Sequence, residues 1–114
     1  MVIRRNEMKT ETREKMRGGE GPVKFTHLVD TGAEKNTRLL AEICLEPGCS
    51  VGYHDHQKET EYYFILSGTG MVNDDGIETA VGAGDAIVTG NGASHSIKNT
   101  GNTPLLFHAV IITY

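Results

Sequence analysis

The sequence is poor in several residue types that mark common classes of protein. Its 114 residues include no tryptophan, three prolines and only two cysteines, Cys44 and Cys49. Two cysteines are too few for a disulfide framework or a zinc–thiolate site. No apolar run approaches the roughly 18 residues of a membrane helix, and no apolar stretch follows Arg4 and Arg5 as it would in a signal peptide. We therefore expect a cytoplasmic protein with reduced thiols and no membrane partner.

Basic residues are scarce beyond the first 20 positions. Residues 1–20 carry six Lys and Arg against four Glu, whereas residues 21–114 carry five Lys and Arg against eleven Asp and Glu. The whole chain has a net charge of −4. This balance argues against a nucleic-acid partner, because proteins bind nucleic acids mainly through Lys and Arg at the phosphates. The length is that of one ordinary domain and leaves no room for a separate cofactor domain.

Glycine, in contrast, is abundant, with 14 residues in the chain. The glycines lie between short β-prone runs, a pattern typical of a turn-rich β-sandwich or β-barrel. The runs predict nine strands, over residues 23–29, 38–45, 50–54, 61–66, 69–72, 77–81, 85–88, 94–98 and 105–113.

The first 22 residues differ from the rest in being strongly charged and in ending with three glycines and Pro22. We interpret residues 1–22 as an N-terminal arm and residues 23–114 as the β-barrel domain. In the arm, Val2 and Ile3 are compatible with a short strand and residues 8–16 with one or two polar helical turns, although no apolar face supports a stable helix. We expect the arm to be ordered only against the barrel or a partner subunit.

Four residues carry the pattern of a metal site: His54, His56, Glu61 and His95. His54 and His56 are two residues apart, so on a strand both imidazoles face the same point. Glu61 begins the next strand, and His95 follows a glycine-rich turn at the start of another. Three imidazoles and one carboxylate suit a divalent first-row ion, namely Mn, Fe, Co, Ni, Cu or Zn, and leave an octahedral ion two positions for water or substrate.

Other polar residues have simpler interpretations. His27 and His108 belong to no motif, so we expect ordinary core or surface histidines. If Glu61 points inward, strand alternation also turns Tyr63 inward. Tyr63 is then either a candidate catalytic acid or a barrel-lining aromatic, and the residues leave both roles open. On the strand of residues 38–45, alternation places Arg38 outside the barrel or at an interface.

Two spaced motifs contain these ligands. The first motif comprises Gly48, His54, His56, Glu61 and Gly68, and the second comprises Gly84, Gly90, Gly92, His95 and Asn99. Their spacing resembles the two motifs of the cupin superfamily, and the resemblance covers roughly residues 36–113. The chain departs from the family pattern at Gly90, where cupins usually carry proline.

The resemblance implies an all-β fold, an antiparallel jelly-roll β-barrel of the cupin (double-stranded β-helix) type. It also implies that His54, His56, Glu61 and His95 hold one metal in the barrel mouth, and that the protein is a homodimer, as small cupins commonly are. Among cupins the chain is most similar to the small oxalate-decarboxylase-like members. The decarboxylases carry a substrate-binding arginine three residues before the first metal histidine, where this chain has Val51.

These features lead to two main hypotheses of function. The first is a metal-dependent enzyme of decarboxylase, oxygenase, lyase or isomerase type that acts on a small carboxylate or hydroxylated metabolite. The alternative is a non-catalytic module that binds or senses a small organic acid through the metal. A third, weaker hypothesis is a purely structural metal. Fold resemblance alone does not choose among them.

Overall fold

Short β-prone runs separated by turn residues build a fold of ten strands. A computed structural model describes all residues, 1–114. The strands are β1 (Lys9–Glu14), β2 (Pro22–His27), β3 (Thr37–Leu45), β4 (Ser50–Asp55), β5 (Glu59–Ser67), β6 (Thr69–Asp74), β7 (Ile77–Gly82), β8 (Ala86–Gly90), β9 (Ser94–Asn99) and β10 (Leu105–Thr113). The only helical segments are single 3₁₀ turns at Arg5–Glu7, Met16–Gly18 and Thr31–Ala33, and none is long or apolar enough to cross a membrane.

The strands form two antiparallel sheets that face each other. The larger sheet has the order β1-β2-β3-β10-β5-β8, and the smaller has the order β4-β9-β6-β7. Some neighbours are consecutive in the chain, whereas others, such as β3 and β10 or β4 and β9, come from distant parts of it, as in a jelly roll. The predicted all-β jelly-roll barrel is confirmed, and nine of its ten strands correspond to predicted ones.

The core lies between the sheets because alternate residues of each strand point inward. On β3 the inward residues are Ala41, Ile43 and Leu45, each at most 2% exposed. On β10, Phe107 is fully buried, while the outward residues of this strand remain partly exposed. The period of two therefore predicts the core face of β3 correctly, whereas on β10 both faces are apolar and alternation does not choose between them.

The N-terminal arm differs from its expected local structure. Residues 9–14 form β1, which pairs with β2 from Lys9 opposite His27 to Glu14 opposite Pro22. The expected helical turns over residues 8–16 and the strand at Val2 and Ile3 are therefore wrong. A polar segment without an apolar face gains more from ladder hydrogen bonds at an open sheet edge than from an isolated helix, which is marginal at this length.

An irregularity in β3 changes the position of Arg38. Ile111 pairs with Leu39, but Ile112 pairs with Thr37, so Arg38 has no partner on β10. Such a bulge turns side chains away from simple alternation. Arg38 lines the cavity together with Leu39, although its side chain remains 50% exposed, so its expected place outside the barrel holds only in part.

Turns between the strands use glycines with left-handed backbone geometry. Four of the motif glycines adopt positive φ, namely Gly48, Gly68, Gly84 and Gly92. At Gly68 a second constraint applies, because a Cβ atom there would lie 2.5 Å from the Pro104 carbonyl oxygen. The Gly92 turn lies next to His56, whose backbone carbonyl accepts a hydrogen bond from the Gly92 N–H at 2.8 Å.

Candidate metal centre

Three strands bring the four predicted ligands together. His54 on β4 lies directly opposite His95 on β9. His56 follows the end of β4, and its backbone N–H donates to the Ala93 carbonyl at 3.0 Å, which keeps it beside β9. Glu61 reaches the same point from β5 in the opposite sheet. One potential ligand atom from each of these residues lies within 4.8 Å of all the others.

The donor atoms are spaced as ligands of one ion would be. The Nε2 atoms of His56 and His95 are 3.0 Å apart, and the Glu61 Oε1 atom lies 3.1 Å from the first and 3.0 Å from the second. Ligands at right angles around an ion, with bonds of about 2.1 Å, are separated by about 3.0 Å. The three atoms therefore match one triangular face of an octahedron.

The outward ring nitrogens of the three histidines are all hydrogen-bonded. His54 Nδ1 donates to the Gly52 carbonyl at 2.7 Å, His56 Nδ1 to the Glu59 carboxylate at 2.6 Å, and His95 Nδ1 lies 2.9 Å from Thr89 Oγ1. A carbonyl and a carboxylate only accept, so the protons of His54 and His56 are on Nδ1. Their Nε2 lone pairs are then directed at the centre, as metal ligation requires. The residues present thus fit a divalent ion.

Two opposing effects shift the pKa values at the centre. Burial disfavours the charged form of each group, and neighbouring groups of opposite charge favour it. Burial lowers the pKa of His54. Burial also disfavours the charged form of His56, but the Glu61 and Glu59 carboxylates outweigh it and raise the pKa of this imidazole. Burial opposes ionisation of Glu61, yet hydrogen bonds with the two imidazoles beside it lower its pKa to about 2. The Glu61 carboxylate is therefore charged at any physiological pH.

The centre forms the base of a cavity of about 310 Å³. His56, Glu61 and His95 are each at most 4% exposed, whereas His54 is partly exposed. Tyr63 also lines the cavity, and its ring stacks on His95 with centroids 4.9 Å apart. Burial and the Glu61 carboxylate raise the pKa of Tyr63 well above its usual value, so its phenol keeps its proton. The expected inward direction of Tyr63 is confirmed.

Sequence comparison identifies the fold family. The cupin domain family matches residues 41–111, which include all four clustered residues. This chain belongs to the cupin family. The predicted resemblance is confirmed.

The cupin is similar to several characterised and solved proteins. It is 49% identical to an oxalate-binding protein of Thermotoga maritima over 98% of this chain and 93% of that protein. The crystal structure of a predicted oxalate decarboxylase from T. maritima superposes with a TM-score of 0.94 and 47% identity, covering all of both chains. The structure of a cupin sugar phosphate isomerase from Silicibacter pomeroyi superposes with a TM-score of 0.79 and 19% identity. The match covers all of this chain and 76% of the isomerase chain, and at this identity it shows the fold alone.

Sequence reasoning missed two groups of residues around the cupin centre. Glu59 accepts from His56 and also receives two hydrogen bonds from Arg38, at 2.9 and 2.7 Å. The spacing of Glu59 three residues after His56 was the one signal that could have indicated this role. The cavity wall also includes Arg13 and Arg17 of the arm. No local pattern connects these arginines with the motifs, because β-pairing of the arm brings them there.

His27 and His108 lie outside the cluster, as expected. His27 lines the outer part of the same cavity, where its Nε2 lies 3.2 Å from the Glu11 carboxylate. His108 lies on the outer face of β10. Cys44 and Cys49 are both free thiols.

Proposed function

We propose that this cupin holds one divalent first-row ion through His54, His56, Glu61 and His95 and binds a small organic acid above it. One observation carries the proposal. The cluster lies at the base of a cavity lined by three arginines, whereas the only carboxylate in the lining is Glu61 itself. In a chain of net charge −4, this concentration of cations favours an anionic ligand.

The ligand proposed is a small carboxylate of the size of oxalate. A cavity of about 310 Å³ is at the lower end of the range for small-molecule sites. Four protein ligands leave an octahedral ion two positions, which suit a chelating acid. The relative from T. maritima is an oxalate-binding protein. This name supports oxalate as the first acid to test.

The test uses protein that has been purified without a chelator and without metal-affinity chromatography. Elemental analysis should find one ion per chain, and titration calorimetry should detect oxalate binding to the metal-loaded protein but not to the metal-free protein. Acetate, which has a single carboxylate, serves as the control ligand and should bind more weakly. Equal oxalate binding with and without the ion, or no binding of any small acid, would contradict the proposal.

Catalytic turnover of the bound acid is the second candidate function, and the position of Tyr63 favours it. A bound ion would supply a Lewis acid that polarises the carboxylate. Loss of carbon dioxide from a dicarboxylate leaves a product that must gain one proton. Tyr63 keeps its proton and lines the cavity, with its ring stacked on His95, so it is our candidate donor.

Turnover is tested with Tyr63→Phe. Loss of a general acid typically costs about 10²–10⁴ in rate, whereas oxalate affinity should stay the same because the aromatic ring is retained. A wild-type protein that binds oxalate and converts neither oxalate nor other small acids would support the non-catalytic binding role instead.

We also propose a homodimer formed through the outer face of the larger sheet. This face is mostly apolar across β5, β8 and β10, with His108 of β10 opposite Phe64 as a polar exception. Phe64 is 46% exposed, Leu66 43% and Val88 59%, and the outward residues Leu106 and Val110 are partly exposed beside them. Contiguous exposed apolar residues are unusual on a monomer. A second copy covering this face would explain why β10 is apolar on both sides.

A further inference from the structure

The N-terminal segment forms one wall of the cavity above the candidate metal centre. β1 extends the larger sheet, and the Met16–Gly18 turn that follows packs against β4, the strand of His54. Arg13, Met16 and Arg17 of this segment line the cavity together with His54 and Glu61. The segment therefore supplies cations that the strand next to the centre lacks, since Val51 lines the cavity from β4.

Close backbone packing holds the turn at this position. A Cβ atom on Gly52 would overlap the Arg17 carbonyl oxygen, and one on Gly19 would overlap the Ser50 carbonyl oxygen. The Ser50 backbone N–H donates to the Glu20 carbonyl at 2.8 Å, and the Glu20 N–H donates to Ser50 Oγ at 2.9 Å. These contacts join residues 17–20 to the first residues of β4. Arg17 is thus anchored through its backbone rather than through its side chain.

The backbone of Arg17 is in an uncommon conformation for a residue with a side chain. Its φ is 55° and its ψ is 30°, in the left-handed region. Non-glycine residues rarely adopt this region, and such residues often lie at functional sites. The turn keeps an arginine at a position where glycine would be the least strained residue.

The three arginines of the cavity wall differ in the partners that their guanidinium groups already have. Arg38 is held by the Glu59 carboxylate through two hydrogen bonds. Arg13 donates to the Glu11 carboxylate, and its guanidinium lies 4.5 Å above the Phe25 ring. The Arg17 side chain takes part in none of the ion pairs or side-chain hydrogen bonds of the structure. Its guanidinium is the one cation of the wall with every donor free.

We propose that Arg17 is the specificity-determining residue of the cavity and donates paired hydrogen bonds to the carboxylate oxygens of a bound dicarboxylate. An arginine fork matches a carboxylate geometrically and carries a permanent positive charge. The inference rests on the proposed function, because it assumes that a small acid binds above the cluster. It adds the group that distinguishes an acid with two carboxylates from an acid with one.

The experiment compares oxalate binding to Mn-loaded wild type, Arg17→Met, Arg17→Lys and Arg4→Met by titration calorimetry. Arg4 is exposed and lies outside the cavity, so its variant removes the same charge from the same segment. Losing a charged hydrogen-bonding group should weaken oxalate binding about tenfold or more in Arg17→Met, with Arg17→Lys intermediate. Arg4→Met should stay within about twofold of wild type, because an exposed charge outside the site is largely screened.

Two further readouts separate a binding role from a structural one. The Mn content and the affinity for acetate should be the same in Arg17→Met as in wild type. A lowered Mn content in Arg17→Met would overturn the inference, since the residue would then support the centre itself. Equal weakening in Arg17→Met and Arg4→Met would overturn it as well, because net charge alone would be responsible.

The two proposals fail in distinguishable ways. Oxalate binding that is unchanged in Arg17→Met overturns the role of Arg17 and leaves the proposed function intact. Absence of oxalate binding to the Mn-loaded wild type overturns the proposed function and, with it, this inference.

Discussion

Each clustered histidine has a second contact that fixes the direction of its ring. For His56 this contact is Glu59, whose carboxylate is itself held by Arg38. The Arg38 guanidinium is the main reason that the pKa of Glu59 is lowered. Glu59 therefore stays ionised and accepts the Nδ1 proton of His56. The chain from Arg38 through Glu59 to His56 orients one ligand nitrogen from outside the centre.

Replacing Glu59 tests this chain. Glu59→Gln keeps the size of the side chain but removes the charge that holds the His56 proton on Nδ1. Losing such an outer partner typically weakens metal binding by about 10–100-fold. Equilibrium dialysis against Mn²⁺ measures the effect, with His54→Ala as the variant that loses a ligand outright. Asp55→Asn is the matched control, because Asp55 lies between the two histidines and is exposed. Equal affinity of Glu59→Gln and wild type would contradict the assignment.

The same residues predict how metal binding depends on pH. The imidazoles must be neutral to bind an ion, so protons compete with the metal. The raised pKa of His56 makes this imidazole take up a proton at higher pH than His54, whose pKa is lowered, whereas Glu61, with a pKa of about 2, stays ionised. Metal affinity should therefore already fall as the pH drops through about 6.5, the ordinary pKa of histidine, and continue to fall at lower pH. A metal content that is constant between about pH 5 and 8 would disprove the histidine ligands.

At the scale of elements, register decides which side chains fit. Gly90, the last residue of β8, pairs with Thr60 of β5. A Cβ atom at position 90 would overlap the Thr60 hydroxyl and lie 2.8 Å from its Cβ. The Thr60 hydroxyl lies 3.0 Å from the Tyr114 hydroxyl, which limits its freedom to move away. The departure from the family motif at Gly90 thus has a steric reason in this chain.

Gly90→Ala should lower the free energy of unfolding by about 1–3 kcal/mol, the usual effect of overpacking. Urea denaturation measures the change. Gly82→Ala is the matched control, because Gly82 also ends a strand but has no atom closer than 3.9 Å to an added Cβ. The double variant with Thr60→Gly should lose part of the steric penalty. Equal stability of the two single alanine variants would refute the clash.

At the scale of the whole molecule, the candidate centre joins the two sheets. His54 and His95 come from the smaller sheet and Glu61 from the larger. An ion bound to all of them would bridge the two layers of the barrel. Since this arrangement exists only in the folded chain, metal binding is coupled to stability.

Removing the metal should therefore lower the melting temperature. An ion present at a free concentration of about 100 times its dissociation constant stabilises the folded protein by about 2.7 kcal/mol. For a domain of this size, that corresponds to a rise in melting temperature on the order of 10 °C. Differential scanning calorimetry of loaded and metal-free protein measures it, and His54→Ala should show no difference between the two. Identical melting temperatures in wild type would argue against ligation by both sheets.

Assembly is the other property of the whole molecule. Phe64→Glu on the outer face of the larger sheet should convert a dimer to a monomer, because a charge cannot be buried unpaired in an apolar interface. Ile77→Glu is the control, since Ile77 is 71% exposed on the smaller sheet. Light scattering after size-exclusion chromatography distinguishes the two masses. A monomeric wild type, or a dimer that survives Phe64→Glu, would contradict the proposed interface.

Properties that depend on local pattern can be predicted from the amino-acid sequence. Alternation of apolar residues predicts the inward faces of β3 and β5, and glycines at tight turns predict where strands end. The spacing of His54, His56, Glu61 and His95 predicts that they meet, because each lies at or near the end of a strand. These features can be predicted because each depends on residues that are close together in the sequence.

Tertiary structure alone decided which cations lie beside the centre. β1 pairs with β2 only because the larger sheet offers an open edge, and this pairing brings Arg13 and Arg17 to the cavity. The bulge of β3 opposite β10 leaves the half-exposed Arg38 beside the cavity, where it holds Glu59. These positions arise from contacts between residues far apart in the chain, and backbone pairing of this kind leaves no periodic trace in the sequence.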